Sequence, residues 1–326
     1  GGSGNQKFTY QIISKLINKN FIRFNYIVVI GPLSKNTYLI EKLSSDNKNI
    51  RLIKNNFNLN SIYSKSHLFI GAAGTSVYET AANSLLSILF KISKNQDTTY
   101  KSLEKIGHYF FLNLYDLNYP KKISKLILNI FHNYNLIKNL MKRPKIKIDP
   151  EGCQRILNEI LSTKIDKNFS LIKNDNIKKK KIHYKIREIT NNDINDYLNA
   201  RNLLINRRYS FKTSKIKKLD HYNWWFKKNI ISFVLEKNFK TKLYFYHHSI
   251  ILLKKKYLVS GWFANDKKCQ IHDILYALNW QKKIKLKKYK AEGWISIVKK
   301  SNKLALKYSS YLGWKKINSN NILFNA

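Results

Sequence analysis

A chain of 326 residues with 44% hydrophobic side chains has enough length and apolar content for about two cored domains, which excludes a wholly disordered polymer. Two cysteines without ligand spacing exclude a disulfide framework and a clustered zinc site; no apolar run approaches the ~18 residues of a membrane span, and the start is not leader-like, so the chain reads as cytoplasmic. The net charge of +42 invites a nucleic-acid partner, but the excess is nearly all lysine, spread along the chain beside abundant asparagine, isoleucine, tyrosine and phenylalanine, all residues with A/T-rich codons. A solvated, compositionally biased surface is expected, with salt-sensitive polyanion attraction and no specific nucleic-acid partner.

In chain order, Phe8–Ile17 reads as a helix with Phe8, Ile12, Leu16 and Ile17 near one face. The run Tyr26–Ile30, ending at Gly31-Pro32, reads as a buried parallel strand and a turn. Strands follow at 50–53, 67–70 and 85–90, and helices at 59–65, 75–84, 101–107 and 123–133. This alternation predicts a doubly wound parallel sheet. Residues 165–183 lack periodicity and carry Lys178–Lys181, which marks a linker. From Tyr184 a different order begins: strands at 184–189, 231–235, 243–253, 257–263 and 291–298, helices at 193–206, 219–228, 271–285 and 302–312, and a closing strand at 322–324. The expected organisation is an α/β domain over 1–164, a linker over 165–183 and an α+β domain over 184–326. Position 1 is not methionine, and the only methionine is Met141, so the chain reads as a piece of a longer one.

The sharpest local feature is Leu68-Phe69-Ile70-Gly71-Ala72-Ala73-Gly74-Thr75-Ser76-Val77-Tyr78-Glu79. A strand runs into small residues and then directly into a helix. Small residues let a ligand approach the backbone, and the helix start, with the Thr75 and Ser76 hydroxyls, offers donors to a phosphate. Glu79, one turn in, suits two ribose hydroxyls, as acidic residues do in dinucleotide folds. The plain alternative is a strand–helix turn capped by Thr75.

This segment resembles the core motif of the UDP-2,4-diacetamido-2,4,6-trideoxy-β-L-altropyranose hydrolases, which release UDP in pseudaminic-acid biosynthesis and are related to GT-B glycosyltransferases. Three further segments are similar, in the same order: Gly1-Gly2-Ser3-Gly4 with Thr9 resembles an interdomain glycine loop, Asn95-Gln96 a following Asn–Gln pair, and Ile148-Asp149-Pro150-Glu151-Gly152-Cys153-Gln154-Arg155-Ile156 the closing signature. The resemblance spans about residues 1–160. It implies a Rossmann-like parallel-sheet domain, the C-terminal half of a GT-B unit, with Gly74, Thr75, Ser76 and Glu79 holding UDP and Gln96 near the sugar or phosphate. It also implies a separate N-terminal half carrying the catalytic histidine. No metal is expected.

Residues 184–326 resemble the GNAT N-acetyltransferases, in particular those acting on UDP-4-amino sugars. The matching residues are Ile186-Arg187-Glu188-Ile189, Arg201, Arg207-Arg208, His221-Tyr222-Asn223-Trp224, and Asn302-Lys303-Leu304-Ala305 with Leu312-Gly313-Trp314. The resemblance implies acetyl-CoA as cofactor with Asn302 on its side, Tyr308 or Tyr311 as general acid to the leaving thiolate, and Arg201, Arg207, His221 and Trp224 against a UDP-linked amino sugar. Lys267–Asp273, where such enzymes carry coenzyme glycines, has none, and side chains there crowd a pyrophosphate. The plain alternatives are surface charge for the arginines and core packing for Trp224-Trp225-Phe226. Together the resemblances imply nonulosonic-acid biosynthesis: UDP-releasing hydrolysis of a 2,4-diacetamido-trideoxy sugar nucleotide, coupled to N-acetylation one step earlier. Two alternatives stay open, the C-terminal half of a GT-B glycosyltransferase and a UDP-sugar-binding module that has lost both chemistries.

Overall fold

The computed structural model describes residues 4–17, 24–56, 58–97, 109–141, 151–161, 183–227, 230–252, 254–265 and 269–315. The elements in chain order are α1 (Gln6–Ile17), β1 (Tyr26–Ile30), α2 (Thr37–Ser45), β2 (Ile50–Lys54), α3 (Asn60–Lys65), β3 (Leu68–Ala72), α4 (Ser76–Ala82), β4 (Leu86–Lys91), β5 (Tyr109–Asn113), α5 (Pro120–His132), α6 (Tyr134–Met141) and α7 (Gly152–Leu161). They continue with β6 (Tyr184–Glu188), α8 (Ile194–Arg201), α9 (Leu204–Arg208), α10 (Lys218–Trp225), β7 (Ile231–Lys237), β8 (Lys240–Leu252), β9 (Lys255–Ala264), α11 (Ile271–Tyr289), β10 (Gly293–Ser296) and α12 (Lys303–Tyr311). The expected helix at 101–107 and strand at 322–324 lie outside the described residues.

The chain forms two compact units. Unit 1 takes its residues from 1–178, 191–195 and 217–228, and unit 2 from 179–190, 196–216 and 229–326. The second and third pieces of unit 1 come from sequence that periodicity alone groups with the later domain.

Unit 1 is α/β with parallel pairing. Strands β1 and β2 align from Tyr26↔Ile50 to Ile30↔Lys54, and Val28, Ile30 and Ile50 pack with Ile13 of α1 and Ile40 of α2. Among the described residues a separate parallel sheet runs in the order β3-β4-β5. Its middle strand is buried from Leu86 to Phe90, as a strand covered on both faces must be, and this is why its sequence is apolar apart from Ser87, whose hydroxyl donates to the Leu85 carbonyl, rather than an alternation. Leu89 and Phe111 pack with Ala73 and Val77 from the turn and helix that follow β3. The sequence reading misses α2 and β5. Residues 109–113 become a strand because β4 offers a ladder partner and a core to cover, which is a tertiary effect with no local periodic signal.

Helix α10 completes this core. Tyr222 is fully buried; its hydroxyl accepts from the Phe111 N–H at 3.2 Å and donates to Asn195 Oδ1 at 2.6 Å. The ring meets Phe110 edge-on at 5.2 Å. Asn223 is tied to α5 through the Asn129 amide at 3.1 Å and the Lys122 carbonyl at 3.1 Å, and Lys122 pairs with Asp220 at 2.6 Å.

Unit 2 is one five-stranded sheet in the order β10-β9-β8-β7-β6. Pairing is antiparallel from β6 to β9 and parallel between β9 and β10, from Gly293↔Tyr257 to Ser296↔Ser260. One face carries Phe233, Leu235, Leu243 and Phe245, covered by Ile274 and Ala277 of α11 and Tyr308 of α12. The molecule is thus α/β throughout, with a parallel-sheet unit and a mainly antiparallel one.

Candidate functional site

In unit 1 the sequence-predicted nucleotide residues gather where β3 turns into α4. Thr75 and Glu79 are exposed, and Gly74 and Ser76 half-buried, on the same short stretch. A side chain added at Gly74 would meet nothing within 4 Å. The protein's own packing therefore does not demand glycine there, and the space over it is free for a ligand. Helix α4 has seven residues, so its dipole is small, and the Thr75 and Ser76 hydroxyls and the bare backbone at Gly74 are the available phosphate contacts. Gln96 stands after β4. Its amide oxygen accepts from the Ile92 N–H at 2.8 Å and the Ser93 N–H at 3.4 Å, closing a capping box, so its amide nitrogen is the end left for a ligand.

Sequence reasoning missed Tyr63, on α3. It is 6% exposed, and its ring stands edge-on to Phe69 at 5.9 Å. Phe69 in turn lies over Gly71, where a Cβ would come within 2.5 Å of its ring. Burial first, then the charge and hydrogen bonding of Glu79, push the pKa of Tyr63 up to about 12, with Ser76 opposing, so at neutral pH it keeps its proton and can donate. Helices α3 and α4 are held together by the Asn83 amide donating to Asn60 Oδ1 at 3.0 Å. No sequence spacing signals this contact, because two separate helices bring it about.

The acetyltransferase candidates are divided between the two units. Tyr308 is buried in the unit 2 core, and its hydroxyl has no hydrogen-bond partner among the described residues, while Tyr311 is 74% exposed. Burial first, and then nearby Cys269, raise the pKa of Tyr308. Asn302 caps α12, its Oδ1 accepting from the Ala305 N–H at 3.1 Å. Arg201 donates to Ser210 Oγ at 2.6 Å, and Arg207 to the Asn202 and Thr213 carbonyls at 3.1 and 2.8 Å, so both brace the chain around α9. His221 and Trp224 belong to unit 1. His221 is buried and donates from Nε2 to the Ile194 carbonyl at 2.9 Å, while Trp224 is partly exposed beside it.

The start of helix α11, which the acetyltransferase resemblance assigns to a coenzyme pyrophosphate, is taken by the protein's own groups. Asp273 is fully buried, its carboxylate accepting from the Gln270 N–H at 2.9 Å and the Tyr184 hydroxyl at 2.7 Å and pairing with Lys237 at 3.3 Å. Burial alone would raise its pKa, but the Gln270, Tyr184 and Lys237 contacts outweigh it and hold the group below 3.8. With Cys269 and Ile271 where glycines would be needed and a carboxylate already in the first turn, these residues do not fit the pyrophosphate of acetyl-CoA. Among the described residues no group of three or more His, Cys, Asp or Glu side chains could hold a metal ion, and no helix is long and apolar enough to cross a membrane.

No curated protein matches the sequence. A possible acetyltransferase from Clostridium difficile 630 is similar over 44% of this chain and 97% of its own, at 14% identity and a TM-score of 0.37. A predicted acetyltransferase from Clostridium acetobutylicum, determined with acetyl-CoA, is similar over 43% and 96%, at 11% identity and a TM-score of 0.35. A domain from Methanocaldococcus jannaschii DSM 2661 is similar over 42% and 92%, at 19% identity and a TM-score of 0.35. Residues 1–156 match the family model of the glycosyltransferase family 28 C-terminal domain.

Proposed function

We propose that unit 1 binds the UDP moiety of a sugar nucleotide, with Glu79 on the ribose hydroxyls, Gly74, Thr75 and Ser76 on the diphosphate, and the Gln96 amide nitrogen toward the sugar end. The reaction we assign to the full enzyme is UDP release: a 2,4-diacetamido-trideoxy sugar nucleotide and water give the free sugar and UDP, within nonulosonic (pseudaminic- or legionaminic-type) acid biosynthesis. The observation that carries the binding step is the open space over Gly74 beside exposed Thr75 and Glu79, within the segment that matches the glycosyltransferase family 28 C-terminal domain. What supports water as acceptor is the resemblance of Ile148–Ile156 to the hydrolase closing signature. The same resemblance puts the general base in an N-terminal half, so we assign that role to none of the residues named here.

The second reading is the C-terminal half of a glycosyltransferase, which uses the same nucleotide contacts and transfers the sugar to an acceptor. The family match favours it. Among the described residues of unit 2, Tyr308 is buried in the core and Asp273 fills the start of α11, so we assign acetyl transfer no step and favour a binding module without it.

Titration calorimetry with UDP tests the assignment. The chain is expected to bind UDP, and Glu79→Ala to weaken binding about tenfold or more, the worth of hydrogen bonds to a charged group. UDP binding that survives Glu79→Ala unchanged removes the ribose contact. Acetyl-CoA titrated separately is expected to give no heat; saturable binding would restore the acetyltransferase reading.

A further inference from the structure

We propose that helix α9 and the loop after it form a docking surface for the anionic face of a lipid bilayer. Residues 197–216 contain no aspartate or glutamate. Within them Leu204, Ile205, Tyr209 and Phe211 are exposed, Leu204 by 62% and Phe211 by 68%. Leu204, Ile205, Arg208 and Tyr209 stand at i, i+1, i+4 and i+5, so α9 and its C-cap turn them to one side. Arg208, Lys212 and Lys215 are exposed in the same stretch. Single exposed apolar side chains need no explanation, but four on one short stretch do. The protein holds this stretch in place instead of folding it inward. The Asn206 side chain ties α9 to the end of β9, donating to the Ala264 carbonyl at 2.7 Å and accepting from the Ala264 N–H at 3.2 Å. Asn202 clasps the far end of the loop, its amide donating to the Ile216 carbonyl and accepting from the Ile216 N–H, both at 2.9 Å. Between them Arg207 donates to the Thr213 carbonyl. Apolar groups already fixed outward lose little freedom when they enter an apolar phase.

Charge selects the occupant. A second copy would set like charges against each other, on a chain of net charge +42. Nucleic acid would satisfy the cations but give Leu204 and Ile205 no apolar partner. A bilayer with anionic headgroups satisfies both, with the cations at the headgroups, Tyr209 at the interface, and the aliphatic side chains and Phe211 below it.

The test is flotation of the full chain at physiological salt with two vesicles, phosphatidylcholine alone and equal parts phosphatidylcholine and phosphatidylserine. The wild type is expected to float with the anionic vesicles and to stay largely unbound with the neutral ones. Leu204→Ser/Phe211→Ser is expected to lose about tenfold or more in affinity, whereas Phe211→Leu, which keeps an apolar side chain, stays within about threefold. Lys212→Gln/Lys215→Gln is expected to lose about tenfold, and the same charge removal on β9, Lys255→Gln/Lys256→Gln, less than about twofold. All the substituted side chains are exposed, and melting temperatures matching the wild type check that each variant folds. Equal losses from the two lysine pairs would reduce the attraction to net charge and overturn the proposal. Wild-type affinity in Leu204→Ser/Phe211→Ser overturns it by showing that no apolar contact is made. Tighter binding of single-stranded DNA than of anionic vesicles, weakened by the same variants, overturns it in favour of nucleic acid. A dimer that the serine variant abolishes overturns it in favour of a second copy, and a wild type that floats with neither vesicle removes it outright.

Discussion

A buried hydroxyl ordinarily finds a partner, and that of Tyr308 has none among its neighbours in the unit 2 core. Removing it leaves nothing unsatisfied behind, so Tyr308→Phe is expected to leave stability unchanged or raise it by about 1 kcal/mol, read from chemical denaturation. A loss of more than about 1 kcal/mol would mean that the hydroxyl is satisfied in solution. The same residue shows the reach of sequence reading. Tyr308 and Tyr311 lie three apart, so the helical period puts them near one face and leaves both as candidates. Which of them is buried depends on how α12 rolls onto the sheet, and the sequence holds no sign of that. The strand–helix junction of β3 and α4 was legible to within about two residues because small side chains at such a junction are a local feature. The packing of Tyr63 against Phe69 behind it was not.

Among the elements, α11 depends most on one buried charge. Asp273 accepts from the helix's own first turn, from Tyr184 of β6 and from Lys237 of β7, so it ties an edge strand and its neighbour to the helix that covers them. Because its pKa is depressed in the folded state, its contribution is complete above about 3.8 and is lost as pH falls through the lower folded value. Lys237 bears on the opposite limb. Burial lowers its pKa, but contacts with Tyr184 and Asp273 prevail and raise it, so its contribution holds below 10.5 and fades above. Asp273→Asn is therefore expected to lower the melting temperature at pH 7, with the gap to the wild type closing as the pH drops below about 4. A gap of constant size from pH 7 to pH 3 would show that the charge is immaterial. This linkage was hidden from the sequence, where Lys267–Asp273 stood out only for lacking glycine. The helix itself and the strands β7, β8 and β9 were legible from their period, because each has one face on the core.

At the scale of the molecule, unit 1 draws on three stretches of chain, and α10 arrives last. Burying an aromatic the size of Tyr222 contributes on the order of 4 kcal/mol, comparable with the whole stability margin of a small domain. A fragment of residues 1–164 lacks this helix and leaves Phe110 and Phe111 uncovered on one side. It is expected to bind a hydrophobic dye and to melt without a cooperative transition, and extension to residue 228 should restore one. A sharp melt of the short fragment would make α10 dispensable. Composition and the lysine run suggested a cut near 165–183 because they register where periodicity changes, and periodicity does not report which core a helix joins. The consequence reaches into synthesis. A ribosome delivers the parallel strands well before it has made residues 217–228, so the face that α10 covers stays open to chaperones, and to neighbouring nascent chains, until most of the protein has been translated. Slowing translation just upstream of Lys217 would therefore lengthen exposure of a sheet that is otherwise finished, and faster passage through that stretch should improve the yield of folded protein.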